Sequence, residues 1–344
     1  MGAAASSPTV LNKRSNAIDV IAHFAAAASA SPSTFLDGKM ALVTGGNSGL
    51  GLETVKALSS AGCRVIMTSR DVVAGQRAVT AELGSSDPRS TPYAGRSELV
   101  TVMEMDLESL PSIKALADAV AGQPLDYVIF NAGIMALEKR EETSNGWEKQ
   151  IGTNGHGHFY LASLLRPQLV ARKEPSRVIW LSSLAHSYGK VIVSDLHYSK
   201  GRKYSAWYAY GQSKKVNMLH ARELADQLTA EAQQHVVPVS LHPGVIQTNL
   251  GRHISLAKNP LVKMILTNFV VDKNIGQGAA TTIYAALCPT LTPGGYYSDC
   301  ALAKADKEGE DVEKTLRKAL WKVTESDIAT ALANTKLSPS SESS

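Results

Sequence analysis

The segment TGGNSGLG at positions 44–51 stands between a short apolar run and a helical pattern. Gly45 suits a tight turn that excludes other residues, Gly49 lets a ligand approach the backbone, and Gly51 lets the new helix pack against the strand. A helix that begins here offers unpaired N–H groups and the positive end of its dipole to a phosphate. The segment predicts a strand–turn–helix unit that binds a pyrophosphate; a plain glycine-rich turn is the alternative.

Strand-like and helix-like patterns alternate along most of the chain. Strands are expected at 40–44, 64–68, 98–104, 125–130, 177–182 and 236–241. Helices are expected at 50–61, 71–83, 109–121, 145–171, 206–232 and 275–287. Alternation of this kind builds an α/β domain with a parallel sheet and helices on both faces. Because ligands of such sheets bind at the carboxyl ends of the strands, functional residues are expected just after each strand.

The composition leaves ample apolar sequence for a core and argues against several classes of protein. The 344 residues are 44% hydrophobic and carry a formal net charge of +4. The basic residues are scattered, so we expect no nucleic-acid partner. The three cysteines (Cys63, Cys288 and Cys300) have neither a disulfide framework nor a metal spacing, so we expect reduced thiols and no metal. No apolar run reaches the roughly 18 residues of a membrane span.

The two ends of the chain differ from its centre. Residues 1–36 form an extension that is flexible or contains one helix, residues 37–335 form the core domain, and residues 336–344 are expected to be disordered. The first six residues match a myristoylation pattern, and the same stretch weakly resembles a transit peptide; a plain tail is the third alternative. We expect a cytoplasmic protein, with reversible membrane association through the N-terminus and organelle import both left open.

The end of the second strand bears on the choice of nucleotide. An acidic side chain there would bind the ribose 2′-hydroxyl of NAD, whereas an arginine accommodates the 2′-phosphate of NADP. Ser69 is not acidic and Arg70 follows it, which favours NADP(H) over NAD(H). Asp71 keeps the NAD interpretation open but is expected to cap the next helix. The alternative for Arg70 is an ordinary surface charge.

The next two strand ends carry residues of the same kind. Asp106 and Leu107 follow the third strand, and the Asp106 carboxylate can accept a hydrogen bond from the amino group of adenine. The small residues of Asn131–Gly133 follow the fourth strand and let a ribose lie against the backbone. Each segment alone could be a plain turn. Their order after successive strands favours the binding interpretation.

A tyrosine and a lysine with helical spacing are the candidates for proton transfer. Tyr210 is the only one of the eleven tyrosines with a lysine, Lys214, four residues later. On a helix such residues share a face, and an adjacent ammonium favours the tyrosinate. Tyr210 could then exchange a proton with an alcohol or a carbonyl while a hydride moves, and a serine after the fifth strand could hold the substrate oxygen. By itself the spacing is weak, because most such pairs are surface neighbours.

Together these motifs resemble the short-chain dehydrogenase/reductase family. The matching segments are TGGNSGLG at 44–51, NAG at 131–133, the serines at 182–183, YGQSK at 210–214 and HPG at 242–244. They follow the order of the family, and the resemblance extends over about residues 38 to 300. It implies a single Rossmann-like, doubly wound domain, a nicotinamide cofactor and a catalytic tetrad.

The resemblance assigns a role to each tetrad residue. Asn154 would support a water beside the lysine, Ser183 would orient the substrate, and Tyr210 would be the acid/base. Lys214 would lower the pKa of Tyr210 and hold the nicotinamide ribose. With the strand-end residues above, the expected cofactor contacts are Gly45, Asn47, Ser48, Gly49, Leu50, Gly51, Arg70, Asp106, Leu107, Asn131, Ala132, Gly133, Tyr210, Lys214, Pro243, Gly244, Val245 and Thr248.

Within the family, several phrases resemble the retinol dehydrogenase and WW-domain oxidoreductase branch. They are GHGHFYLASLL, LSSLAHSYG, YGQSKKVNML and GGYYSDC. The branch implies an NADP(H)-dependent oxidoreductase that interconverts an alcohol and a carbonyl on a lipophilic substrate, such as a retinoid, a steroid or an aldehyde. Segment 250–274 has the apolar content of a lid over that substrate. The alternative is a nucleotide-sensing scaffold that binds NADP(H) and acts through a protein partner. The family also implies that a homodimer could form through helices 145–171 and 206–232.

Overall fold

Eight strands form one sheet in the computed structural model, which describes residues 10–84, 96–246 and 273–337. The sheet order is β3-β2-β1-β4-β5-β6-β7-β8, and every neighbouring pair is parallel except β7 and β8. The strands are β1 (Met40–Val43), β2 (Arg64–Ser69), β3 (Val100–Glu104), β4 (Tyr127–Phe130), β5 (Ser176–Leu181), β6 (Val236–His242), β7 (Tyr296–Ser298) and β8 (Ala301–Ala303). The order reverses direction between β1 and β4, which opens a crevice at their carboxyl ends.

Helices cover both faces of this sheet. They are α1 (Ala17–Ala27), α2 (Gly49–Ser60), α3 (Val72–Leu83), α4 (Leu110–Ala119), α5 (Lys149–Ile151), α6 (Gly157–Arg172), α7 (Ala206–Ala230), α8 (Ile275–Leu287), α9 (Lys307–Glu310) and α10 (Thr315–Leu337). None of the helices in the described ranges combines the length and the apolar composition that a membrane crossing requires.

Two apolar cores lie on opposite sides of the sheet. In β1, Ala41 and Val43 belong to the core under α1, α2 and α8, whereas Met40 and Leu42 belong to the core under α4, α6, α7 and α10. Successive side chains of a strand point to opposite faces, so a strand that is apolar at every position is buried on both sides. The predicted doubly wound parallel sheet is confirmed, and all six predicted strands lie within two residues of the expected bounds.

The helix predicted at 145–171 begins four residues later than expected, at Lys149, and is not α-helical throughout. Glu148 caps a helix start at Lys149, because its carboxylate accepts from the backbone N–H groups of Gln150 and Ile151 at 3.1 and 2.9 Å. A single π-helical segment, Gly152–His156, then precedes α6. π-helical turns are frequent at functional sites, and this one contains Asn154.

The N-terminal helix is part of the core. Asn16 and Asp19 form a reciprocal capping box at its start. The buried side chains of α1 are Ala17, Val20, Ile21 and Ala25, and the first three belong to the core beside α2 and α8. The boundary at residue 36 stays a prediction. The targeting alternatives for the first six residues and the end of the predicted tail lie outside the described residues.

Helix α10 was not predicted, and it lies against α7. The Trp321 ring meets Phe159 of α6 at a centroid distance of 4.5 Å, and the Thr324 hydroxyl lies 3.2 Å from Nε2 of His220 on α7. Helix α10 of this chain therefore covers part of the faces of α6 and α7, the helices through which a homodimer was expected to form.

Candidate active site

A cavity of about 430 Å³ lies at the carboxyl ends of the strands from β1 to β5. Predicted residues that line it are Gly45, Asn47, Ser48, Gly49, Leu50, Gly51, Arg70, Asp106, Leu107, Asn131, Ala132, Gly133, Tyr210, Lys214 and Pro243. Lining residues that were not predicted are Thr68, Ser69, Asp71, Met105, Ile134, Met135, Thr153, Leu181 and Ser182. Four residues of the second group, Ser69, Asp71, Met105 and Ile134, are direct chain neighbours of the first, so the strand-end rule itself could have found them.

The glycine turn is held from the side by Asn131. Its amide nitrogen donates to the carbonyl oxygens of Thr44 and Gly45 at 2.8 and 3.2 Å. Gly45 has a φ of 63°, and a Cβ atom on Gly51 would collide with the Gly45 carbonyl and the Asn131 amide. Gly49 has a φ of 55° and faces open space. Gly45 and Gly51 thus close the turn, while Gly49 faces the region that a ligand can enter.

The end of β2 presents an arginine rather than a carboxylate. Asp71 accepts from the backbone N–H of Ala74 at 2.9 Å and so caps α3. The Ser69 hydroxyl donates to the Asp71 carbonyl at 2.7 Å. The exposed Arg70 lines the cavity between them. Further along the same rim, Asp106 accepts from the backbone N–H of Glu108 at 3.0 Å, so the carboxylate orders its own turn.

Tyr210 and Lys214 share one face of α7 and reach the cavity from the β5 side. Each is only 4% exposed. The Lys214 ammonium lies 5.7 Å from the centroid of the Tyr210 ring and donates to the Leu181 carbonyl at 3.2 Å. Ser183, just beyond β5, hydrogen-bonds the Tyr210 hydroxyl. Tyr210 and Lys214 therefore line the cavity, whereas Ser183 reaches it only through its contact with Tyr210, because the lining member of the serine pair is Ser182.

Burial decides the protonation of this pair. It raises the pKa of Tyr210 to about 12, against the smaller opposing effect of the Ser183 hydrogen bond. It also lowers the pKa of Lys214 to about 8. In the chain alone the removal of the hydroxyl from water therefore determines the direction of the shift. The lowering of this pKa by Lys214 beside a bound cofactor stays a prediction. At neutral pH Tyr210 keeps its proton, the form that can protonate a carbonyl oxygen.

Asn154 lies behind the cavity wall rather than in it. Its side chain accepts from the Ile134 N–H at 2.8 Å and donates to the Ile134 carbonyl at 2.9 Å. It also donates to the Ser213 hydroxyl at 2.9 Å, and this hydroxyl donates to the Tyr210 carbonyl at 2.7 Å. A Cβ atom on Gly133 would lie 3.0 Å from Asn154 Oδ1 and 3.3 Å from the Lys214 ammonium. Glycine at this position thus leaves room for both groups.

A buried histidine, which sequence reasoning missed, connects Asn154 to the glycine turn. The backbone carbonyl of Asn154 can only accept a hydrogen bond, so Nδ1 of His158, 3.0 Å away, carries the proton of the ring. Nε2 then accepts from the Thr44 hydroxyl at 2.9 Å, and this hydroxyl accepts from the Ala132 N–H at 3.0 Å. Burial lowers the pKa of His158 to about 3, so the ring is neutral. The spacing of His158 four residues after Asn154 was the available signal.

The loop after β6 lies at the cavity edge. Pro243 lines the cavity, whereas Gly244 and Val245 do not. Gly244 has a φ of 101° and packs on the Lys273 side chain, which forms a 2.5 Å ion pair with Asp299. Thr248 and most of the predicted lid lie outside the described residues.

A second polar cluster, His156, His197 and Asp327, joins the π segment to α10. Both Nε2 atoms lie 3.0 Å from the same Asp327 oxygen. Nδ1 of His197 accepts from the Glu148 N–H at 3.3 Å, so the proton of His197 is on Nε2. A protonated nitrogen donates to Asp327 and cannot bind a metal, and the cluster therefore fits a hydrogen-bonded network.

A family model described as short chain dehydrogenase matches residues 39–259. This match covers more than half of the chain. The chain belongs to the short-chain dehydrogenase/reductase family. It is an oxidoreductase that acts on CH–OH groups with NAD(P), as the site and the family together require.

Among similar proteins, this short-chain dehydrogenase/reductase is 37% identical to human (Homo sapiens) retinol dehydrogenase 12 over 269 residues, 77% of this chain and 79% of that protein. A crystal structure of an uncharacterised Mycobacterium paratuberculosis protein has a TM-score of 0.66 and 31% identity, over 86% of this chain and 94% of that one. The RhlG/NADP active-site complex of Pseudomonas aeruginosa has a TM-score of 0.56 and 26% identity, over 77% of this chain and 96% of that one.

Proposed function

We propose that the protein is an NADP(H)-dependent oxidoreductase that interconverts an alcohol and a carbonyl on a lipophilic substrate, with Tyr210 as the acid/base. One observation carries this proposal: the buried Tyr210–Lys214 pair and the glycine turn open onto the same cavity. A proton donor and a phosphate-binding helix start thus lie at two sides of one space.

The turn fits the pyrophosphate of a dinucleotide. In the described part of the chain no side chain caps the start of α2, since Ser48 makes no capping hydrogen bond. The first N–H groups of α2 are thus left to a ligand, and they favour an anion. When bound, the nicotinamide would supply or accept a hydride.

The residues of this chain then handle the oxygen and the proton. The hydroxyls of Ser183 and Tyr210 hold the carbonyl oxygen, and Tyr210 transfers its proton as negative charge develops on that oxygen. Lys214 lies one helical turn away, where its ammonium stabilises the tyrosinate that remains. Asn154 fixes the wall behind Lys214, through Ile134 and Ser213. In the reverse direction Tyr210 takes the proton of the alcohol.

Two features support NADP(H) over NAD(H). The Asp71 carboxylate is engaged as a helix cap, and Arg70 remains exposed at the rim of the cavity. A guanidinium matches a phosphate in a charge-assisted contact. The solved relative with NADP in its active site points to the same cofactor.

The lipophilic substrate is proposed from the name of the curated relative, a retinol dehydrogenase. The test is a screen of the purified full chain with NADPH against all-trans-retinal, a steroid ketone and a medium-chain aldehyde. Turnover is measured as the decrease in NADPH absorbance. Turnover of at least one lipophilic carbonyl, and faster turnover than of a short polar aldehyde, is expected. Tight NADPH binding without turnover of any carbonyl would instead support the nucleotide-sensing scaffold.

The cofactor assignment is tested by Arg70→Ala, with Arg64→Ala as the matched control. Arg64 is also exposed but begins β2, whereas Arg70 follows its end. A hydrogen bond to a charged group contributes roughly 1.5–3 kcal/mol, about one to two powers of ten in affinity. Arg70→Ala should lower kcat/KM for NADPH by that factor and leave NADH nearly unchanged, while Arg64→Ala changes neither. A wild type that prefers NADH, or equal losses for both cofactors, would contradict the assignment.

A further inference from the structure

The peptide bond between Ser183 and Leu184 is held at both of its polar atoms by histidine rings. Its carbonyl oxygen lies 2.7 Å from Nδ1 of His186, on the 3₁₀ turn that follows β5. Its N–H donates to Nδ1 of His242, the last residue of β6, at 3.1 Å. The two rings thus come from different parts of the chain and meet the same peptide from two directions.

The hydrogen bonds fix the tautomer of each ring. A carbonyl only accepts, so His186 carries its proton on Nδ1; an amide only donates, so Nδ1 of His242 carries none. The rings are 2% and 8% exposed, and burial lowers the pKa of both, that of His242 to about 4. Both are therefore neutral at neutral pH, the state in which His242 can accept. Lys273 and His186 add to the effect on His242, and Asp299 opposes it.

We propose that His186 and His242 are positioning residues that hold the Ser183–Leu184 peptide and so aim the Ser183 hydroxyl at the substrate oxygen. This inference rests on the proposed function. None of His186, His242 and Ser183 lines the cavity. Ser183 contacts the Tyr210 hydroxyl, which does, and the two rings therefore act through Ser183.

The orientation of Ser183 depends on this peptide. The Ser183 backbone is extended, with φ −157° and ψ 158°, at the end of β5. Its hydroxyl oxygen accepts from the Ala185 N–H at 3.2 Å, which leaves the hydroxyl proton for another acceptor. Rotation of the peptide would move the hydroxyl away from Tyr210. A displacement of about 1 Å in a reacting group can lower a rate by roughly 10².

The alternative is that these are ordinary satisfied core histidines. In that case a substitution would lower stability without a specific effect on turnover. His242 adjoins Pro243 at the cavity edge, so a substitution could also weaken cofactor binding. Three measurements separate these roles: hydrogen exchange of the Leu184 amide, the Kd of NADPH, and kcat with the best carbonyl of the screen.

The variants are His242→Leu, which removes the acceptor, and His242→Asn, whose Oδ1 can take the place of Nδ1. His220→Leu is the matched control, because His220 is fully buried but hydrogen-bonds Thr324 of α10. We expect His242→Leu to speed exchange of the Leu184 amide at least about tenfold and to lower kcat by roughly one to two powers of ten, with the Kd of NADPH within about twofold. His242→Asn should recover most of both, and His220→Leu should change neither.

Each other outcome overturns a defined part of the inference. Unchanged exchange in His242→Leu would refute the contact itself, and this measurement needs no substrate. Faster exchange with an unchanged kcat would refute the positioning role. If kcat falls only together with weaker NADPH binding, His242 supports the cofactor loop and does not position Ser183. If His242→Asn does not recover kcat, His242 is an ordinary core residue. If wild type turns over no carbonyl while the exchange result holds, the proposed function fails and the contact stands as structural.

Discussion

Replacement of Lys214 by methionine should stabilise the apo protein while it removes activity. Burial lowers the Lys214 pKa from 10.5 to about 8, and each pKa unit corresponds to about 1.4 kcal/mol, so the ammonium costs the folded state about 3 kcal/mol at neutral pH. Methionine has a similar linear shape and no charge. The Leu181 carbonyl keeps a donor, because Asn217 also donates to it at 3.1 Å. Lys214→Met should therefore raise the free energy of unfolding by about 1–3 kcal/mol at pH 7.

The pH dependence of the free energy of unfolding tests this prediction independently. Between the folded pKa of about 8 and the unfolded value of 10.5, the unfolded chain binds more protons at Lys214, so wild-type stability rises with pH there. The advantage of Lys214→Met should be complete below about 8 and shrink as the pH approaches 10.5. Urea unfolding of the apo proteins across this range measures it. A methionine variant that is less stable at neutral pH, or an advantage independent of pH, would refute the reasoning.

Lys215→Met is the matched control, and we expect it to lower stability. Lys215 is 1% exposed and lies 2.7 Å from carboxylate oxygens of both Asp306 and Glu308. Its removal leaves two partly buried carboxylates without their cation, which typically costs about 3–5 kcal/mol. Two adjacent buried lysines should therefore give stability changes of opposite direction, because only one has acidic partners.

Three further predictions concern activity. Tyr210→Phe should lower kcat by roughly 10²–10⁴ while the Kd of NADPH stays nearly constant, because the hydroxyl serves proton transfer; substantial turnover in a clean preparation would remove Tyr210 from its role. For reduction with NADPH, kcat/KM should fall as the pH rises through about 8, where Lys214 loses its charge, and a profile flat across that range would contradict the assignment. Gly51→Ala should abolish NADPH binding, measured by cofactor fluorescence, since its Cβ would collide with the Gly45 carbonyl and open the turn. Gly276→Ala is the control, because a Cβ there would make only ordinary contacts of 3.4 Å or more, and it should leave NADPH binding unchanged.

The sequence by itself determined the sheet and the position of the site along it. Apolar runs bounded by turn residues mark the six long strands, and the side-chain periods of strands and helices are local properties of the chain. Residues placed after β1, β2, β3, β4 and β5 line the cavity because parallel strands end at one edge of the sheet. The spacing of Tyr210 and Lys214 likewise sufficed to put both on one face of α7.

The tertiary structure determined which other parts of the chain these groups contact. The three-residue strands β7 and β8 are too short for a periodic signal. The cap at Glu148 was missed because glutamate is not among the residues preferred at that position, although its contacts with Gln150 and Ile151 are local. Helix α10 did have an apolar repeat, with Leu316, Leu320 and Val323, yet only the fold placed it on α7.

The sequence also could not predict the protonation states of the site residues. The spacing of Tyr210 and Lys214 indicated a lowered tyrosine pKa, whereas burial raises it, since the cost of removing a charge from water depends on every neighbour in space. For the same reason the sequence assigned no role to the histidines at positions 158, 186 and 242, although the spacing of His158 from Asn154 was a usable signal. Each acquires its partner from a segment that only folding brings within hydrogen-bond distance or from a turn that only the fold defines.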